Sequence, residues 1–446
     1  MLSVSQKCLD ALLAPVRFVK PQVLIYFSGE EKPPTDVTED LIGFDTLEEV
    51  TSSSDLPFGK VSFNELFIEL DNFHKYYSIT NNDSPYANQL VSGVKVVIKY
   101  SVEVSDDVFE TFEAGTFYTD AWAVNNENAT ATVTCYDLLS LYANVPVARF
   151  KMRRNIPIKD AFVLLFKSAG IDSNAYTIDS TITGTLSYFW GTGLTLIDCL
   201  DDLSMQTGVN IFVDKKGLIC VKSIKTMNNT PMTLRDDNVI ISANGEPSYS
   251  NVYSGVNISY KQKIESGSEE LLKITSQVLV PGLNTLEDLV FKADPVVSLS
   301  SITIKAPEGV YIQDYTHNDR FITINIQNPL DENVYVDLSV CGYKVDTADV
   351  TMLVEQPNGT NNVMDVSLPM VCSKSYALAL AQQVLSVYTR YMPTIVLDVR
   401  AIPIIDIGDS IIIDSPTATV TEKYIVQTMN TSYREGLLGS ITARAL

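Results

Sequence analysis

The sequence predicts a mainly β, multidomain protein carrying an α+β insert, and three observations support this. Apolar and polar residues alternate with a period of two over much of the chain, as half-buried strands require. Helical periodicity is confined to a few segments lodged between blocks of strands. A length of 446 residues suits about three domains, each able to bury its own core.

The strands show the alternation most plainly. In Val94–Tyr100, Val94, Val96, Ile98 and Tyr100 share one face, and Lys95 and Lys99 take the other. Ile322, Ile324 and Ile326 alternate with Thr323, Asn325 and Gln327. After Pro329, Asp331 and Asn333, the pattern resumes at Val334, Val336, Leu338 and Val340. This predicts a hairpin closed by that polar turn. A second hairpin, VNIFVD-KKG-LICVK, is expected just after Gly208.

Three helices are expected. The first, 157–169, has Pro157 at its start and Gly170 past its end. The second, 194–207, opens on Thr195-x-x-Asp198, carries Ile197, Leu200 and Leu203 as a stripe, and is stopped by Gly208. The third, 373–391, aligns Tyr376, Leu380, Val384, Val387 and Tyr391, and Pro393 ends it. Short strands follow at 394–401, 409–413, 423–427 and 438–443. These elements divide the chain into a β domain at 1–145, an α+β domain at 146–235, a β-rich middle domain at 236–365, and a C-terminal helix with closing strands at 366–446.

Composition narrows the function. Charged residues are 19% and apolar residues 46% of the chain, an ordinary globular balance. The 32 basic and 54 acidic side chains leave a net charge of −22. That argues against a protein that grips nucleic acid. It permits one that lines a passage through which DNA slides, and it also keeps an abundant protein soluble. No stretch reaches the ~20 apolar residues of a membrane helix, and Lys7 and Asp10 interrupt any signal-peptide core. Cys8, Cys135, Cys199, Cys220, Cys341 and Cys372 form no C-x-x-C pair, so neither a disulfide framework nor a zinc site is expected.

Catalytic chemistry is hard to place on these residues. The two histidines, His74 and His317, have no metal-ligand neighbour at helical spacing and suit structural or surface positions. No cysteine sits at a Gly-rich turn opening a helix, where a thiolate would be favoured. The acidic neighbours Asp201-Asp202, Glu48-Glu49 and Glu269-Glu270 point in different directions, unlike a glycosidase pair facing across a cleft. Asp201-Asp202 reads as the solvated face opposite Leu200 and Leu203. Trp190-Gly191-Thr192-Gly193 has the look of a phosphate loop but lacks its third glycine and its lysine. It reads as a strand-to-helix turn. Gly408-Asp409 suggests either a catalytic aspartate or a capped barrel turn, and the turn is the simpler reading. The 22 Tyr and 17 Phe suit sheets as well as ligands. We therefore expect no catalytic, cofactor-binding or metal-binding residues.

The order of motifs resembles the tail-tip or baseplate hub family of phage tail proteins. Ser54–Asn72 ends a strand on Asp71-Asn72, Ser84–Val102 opens a Gly93-led strand, Phe112–Val124 carries Gly115-Thr116-Phe117, and Ala129–Tyr142 turns at Tyr136-Asp137 into a helix. Phe189–Lys222 is similar to that family's second domain. Ile402–Arg444 resembles its closing barrel, with Gly408-Asp409 and Tyr433-x-x-Gly436-Leu437. Residues 262–365 are the least familiar. The resemblance implies two β-barrel-like hub domains, with Gly115, Phe117, Trp122, Gly408 and Asp409 serving their fold. It also implies a homotrimeric ring that joins the tail tube and distal tail proteins to a spike, fibre or receptor-binding protein. DNA would pass through the lumen without specific binding, and no part of the chain would enter a membrane. Such a protein belongs in the virion, assembled in the bacterial host cytoplasm. A glycan-recognising receptor-binding module and a cell-wall hydrolase are the two alternatives.

Overall fold

A computed structural model describes residues 1–50, 58–147, 150, 152–190, 194–223, 231–235, 239–246, 252–264, 267–293, 295–356, 361–389, 394–415, 423–434 and 436–445. The expected turn at Gly191–Gly193 and the helix terminus at Tyr391 and Pro393 lie outside them.

In chain order, helix α1 (Gln6–Leu13) precedes strands β1 (Val19–Ile25), β2 (Thr35–Asp36), β3 (Leu41–Glu49), β4 (Glu65–Asp71), β5 (Lys95–Ser105), β6 (Val108–Asn125) and β7 (Thr130–Tyr136). Then come α2 (Leu138–Ala143), β8 (Arg153–Pro157), α3 (Ile158–Ser168), β9 (Tyr176–Ile178), β10 (Thr185–Phe189), α4 (Leu196–Thr207), β11 (Val209–Val213) and β12 (Ile219–Ser223). The middle holds β13 (Met232–Arg235), β14 (Ile240–Glu246), β15 (Gly255–Ile264), β16 (Glu269–Leu279), β17 (Gly282–Val290), β18 (Val296–Lys305), β19 (Tyr311–His317), β20 (Phe321–Asn328), β21 (Val334–Lys344), β22 (Asp346–Glu355) and β23 (Val363–Val371). The chain closes with α5 (Lys374–Tyr388), β24 (Thr394–Arg400), β25 (Ser410–Asp414), β26 (Lys423–Tyr433) and β27 (Leu437–Ala445). The protein is mainly β and multidomain, as the alternation predicts.

Thirteen strands form one sheet drawn from both ends of the chain, running β14-β24-β27-β26-β3-β4-β7-β6-β5-β1-β2, with β25 bridging β26 and β13. The N-terminal and C-terminal halves meet where β26 pairs with β3, Met429 opposite Glu48. The two barrel-like parts are thus one continuous sheet, and the pairings among the described residues close neither into a separate barrel. The 18-residue β6 serves two neighbours. Its first part pairs with β5 and its second with β7, with a register shift between Thr119 and Ala121. The N-terminal half encloses Leu66, Ile68, Val96, Ile98 and Val133. The C-terminal half packs Ile395, Leu397, Ile411, Val426 and Ile441 with Cys8 and Leu12 of α1.

The α+β unit is built as its local signals predict. Helix α3 buries Ile158, Ala161, Phe162, Leu165 and Phe166, and each large apolar side chain so placed contributes about 1.5–3 kcal/mol. Thr195 Oγ1 accepts the Asp198 amide, and Gly208, at φ 67°, ends α4. β11 and β12 form the expected hairpin, Val213 opposite Ile219. β9 joins them in parallel.

The middle strands correct one expectation. β20 and β21 are consecutive but not paired. β20 lies between β17 and β19, and β21 lies between β16 and β18. The two sheets face each other across one core holding Ile322, Ile324, Ile326, Val336, Leu338 and Val340. Alternation correctly marks the buried face of each strand. It does not say whether the next strand lies beside it or opposite it, and the 329–333 connection arches from sheet to sheet. This sandwich interrupts the β15–β22 ladder, in which Ile264 still opposes Asp346. Helix α5 packs Ala377, Leu380, Ala381, Val384, Leu385 and Tyr388 on that ladder's sheet.

Candidate functional site

The residue types that most often carry chemistry are dispersed. His74 is flanked by the rings of Phe73 and Tyr76 at 5.4 Å each. His317 Nδ1 lies 2.9 Å from the Asn318 carbonyl. All six cysteines are free. Burial pushes the Cys8 and Cys372 thiols up to about 11 and that of Cys220 to about 12, which suits packing rather than nucleophilic attack. Glu269 pairs with Lys344 and Glu270 with Lys292 on the sandwich surface. Asp201 is exposed, whereas Asp202 is half-buried in a cleft, so only the first matches the expected solvated face. Among the described residues, no group of three His, Cys, Asp or Glu is placed to hold a metal ion. No helix among them is long and apolar enough to cross a membrane.

A cluster of buried charge joins four distant parts of the chain. Glu48 on β3 and Lys215 in the β11–β12 turn are both buried, with Lys215 Nζ 2.6 Å from Glu48 Oε1. The Lys215 amide donates to Asp406 Oδ2 at 3.2 Å. The Asp406 amide donates to Asp409 Oδ2 at 2.8 Å, and the Met1 amino group lies 2.5 Å from that same oxygen. Burial pushes the Asp406 carboxyl up to about 7, opposed by Lys215 and reinforced by Glu48 and Asp409. Burial also raises Glu48, again opposed by Lys215. Acid and base in this cluster are tied to one another or to backbone amides, so it acts as a clasp fixing the α+β hairpin to the seam between β3 and β26.

A second buried polar junction lies beside it. Asp137 caps α2 by accepting the Leu139 amide at 3.0 Å, and its other oxygen accepts the Asn64 amide at 2.7 Å. Asn64 Nδ2 in turn donates to the Val213 carbonyl at 2.7 Å. Asp137 is 1% exposed, and burial pushes its carboxyl up to about 7 against those amides.

The residues singled out by family resemblance occupy packing positions. A Cβ on Gly115 would stand 2.6 Å from Phe117 Cε2, so the glycine makes room for that buried ring. Trp122 stacks on Tyr77, nearly parallel at 6.1 Å, and its buried Nε1 has no hydrogen-bond partner. Gly408, at φ 78°, opens the turn in which Asp409 accepts the Asp406 amide. Lys215 and Asn64 have no distinguishing pattern in the sequence, since a lysine at a KKG turn ordinarily faces solvent.

One further feature is a cleft of about 250 Å³ where β10, α4, β15, β23 and the sandwich base meet, lined by Tyr188, Trp190, Asp202, Lys261 and Val371. A second hollow of about 460 Å³ continues from Tyr188 and Val371 to Arg154 and Lys263.

No protein-family profile matches the chain, and no curated protein resembles it at a significant level. Solved structures do resemble it. The 43 kDa tail protein of prophage MuSo2 from Shewanella oneidensis aligns over 95% of this chain and 98% of its own, at 12% identity and a TM-score of 0.52. A tail protein from Neisseria meningitidis MC58 aligns over 96% of each chain, at 9% identity and a TM-score of 0.54. The inserted sandwich and the helix-hairpin unit fall within alignments of that extent. This chain therefore has the fold of these tail proteins.

Proposed function

We propose that the protein is a structural, non-enzymatic subunit of a phage-type tail. It forms a trimeric hub ring at the tail tip or baseplate and joins the tail tube and distal tail proteins to a spike, fibre or receptor-binding protein. The observation that carries this reading is the end-to-end likeness to two tail proteins, which spans nearly all of both partners. The continuous sheet supports it. Two halves joined by the pairing of β3 with β26 suit an adaptor that transmits position more than one that turns over substrate. The acidic balance, −22 overall, fits a lumen that passes DNA without holding it. The four-part division at residues 145, 235 and 365, location in the virion and assembly in the host cytoplasm belong to the same proposal.

Native mass spectrometry of the purified chain, alone and with its tail-tube neighbour, tests the ring. Three copies per complex support it. A chain that stays single even in the presence of that neighbour contradicts it.

A second reading, recognition of host glycans, has one specific observation behind it. Tyr311, Tyr315 and Tyr335 are exposed on the inserted sandwich, and exposed tyrosines stack on sugar rings. Binding to a glycan array that disappears when all three are replaced by Ser would favour it over the adaptor.

A further inference from the structure

We infer that the cleft between β10, β15 and β23 receives the β5–β6 hairpin tip of a second copy of this chain, a contact that rests on the ring reading. The cleft is lined by Lys261 and Asp202, and the hollow that continues from it by Arg154 and Lys263. Lys261 and Lys263 extend from the end of β15, with Arg153 and Arg154 on β8 nearby, and all four are exposed. Lys263 Nζ lies over the Tyr188 ring at 5.3 Å, and the Arg154 guanidinium donates to the Val297 carbonyl at 2.5 Å. None of Arg153, Lys261 and Lys263 forms an ion pair among the described residues. Asp349 stands opposite Lys261 across the β15–β22 ladder, and Asp202 is half-buried within the cleft, its carboxyl raised by burial and lowered by Lys261. Aromatic floor and basic rim together call for a ligand that is apolar at its centre and acidic around it.

The hairpin tip comes near that composition, with Lys20 Nζ lying over the Phe109 ring at 5.1 Å. Asp106 and Asp107 form the turn, and Glu103 and Glu110 flank it. Val108 and Phe109 beside it are 53% and 37% exposed. The tip is preformed. Asp107 sits at φ 58° and its amide donates to Glu103 Oε1 at 3.0 Å, while Phe109 meets Phe18 edge-on at 6.1 Å. Little conformational entropy is then lost on docking. Within its own chain the hairpin packs chiefly on β1, β7, α1 and α2. Knob and socket on different strands of one chain would make a head-to-tail contact, the type that closes into a ring when the rotation permits. Opposite charges at the rim would also steer association.

The test is a charge swap read by sedimentation of the purified full chain at low and moderate salt. K261E/K263E and D106K/D107K should each raise the dissociation constant of self-association at least roughly tenfold, since like charges across an interface cost several kcal/mol. The four-fold variant should recover most of the wild-type value. All four side chains are exposed, and thermal melts check that each variant folds. Self-association unchanged in either pair, or no recovery in the combined variant, overturns the contact while leaving a ring made by other surfaces intact. A wild-type chain that stays monomeric at every concentration also overturns it. The ring reading is then decided separately, by the copy number found with the tail-tube neighbour.

Discussion

At the residue scale, the strongest constraints are buried charges. Removing one partner of the Glu48–Lys215 pair strands the other in the interior, at a cost of about 3–5 kcal/mol. We therefore predict that Lys215→Met lowers urea stability by that amount, and that adding Glu48→Leu recovers much of it. A double variant no more stable than the single one would contradict the clasp. Asp137 gives a pH prediction. Its carboxyl is held at about 7 in the folded chain and near 3.8 when unfolded, so between those values the folded state binds more protons. Stability from this group therefore falls as pH rises from about 4 to 7. Asp137→Asn, which still caps α2, should flatten that dependence by roughly 1–3 kcal/mol between pH 5 and 8, measured as the difference in urea unfolding from wild type. Parallel wild-type and variant curves would refute the assignment. Neither group was legible in the sequence as a clasp. Lys215 and Glu48 are 167 positions apart, and only the fold decides whether a turn lysine meets water or a buried glutamate. Asp409 was legible, because a Gly-Asp turn signals its own cap.

Elements are legible in the sequence where their signals are local. Thr195 and Gly208 bound α4 because a cap and a left-handed stop act within one helical turn. Gly208→Ala should therefore destabilise by about 1–2 kcal/mol, since φ 67° is strained for alanine and its Cβ would stand 2.8 Å from Leu380 Cδ1; differential scanning calorimetry checks it. α5 lies where its periodicity places it, and its buried stripe keeps Leu380 and Val384 and adds Ala377, Ala381, Leu385 and Tyr388, while Tyr391 lies outside the described residues. The β20–β21 hairpin failed for a different reason. Lateral partners are chosen by strands far along the chain, and alternation has no information about them. The sandwich gives an element-level prediction. Since Ile264 and Asp346 are paired, replacing 265–345 by a two-residue turn should leave the remaining chain folded and soluble, with its circular dichroism still β-rich. Aggregation of that variant would show that the sandwich is integral to the fold.

At the scale of the whole molecule, the central claim is that the chain is a ring-forming tail adaptor. Composition bounded that claim, motif order pointed to the family, and the fold likeness to the Shewanella and Neisseria tail proteins supports it. The continuous sheet joining β3 to β26 was not legible, because its two strands come from opposite ends of the sequence. It is nevertheless what joins strands from the two ends of the chain in one sheet. Negative-stain electron microscopy of the purified chain, class-averaged without imposed symmetry, tests the claim most directly. The account predicts rings with threefold or apparent sixfold symmetry and an open centre. Isolated single particles, persisting when the tail-tube neighbour is added, would contradict it.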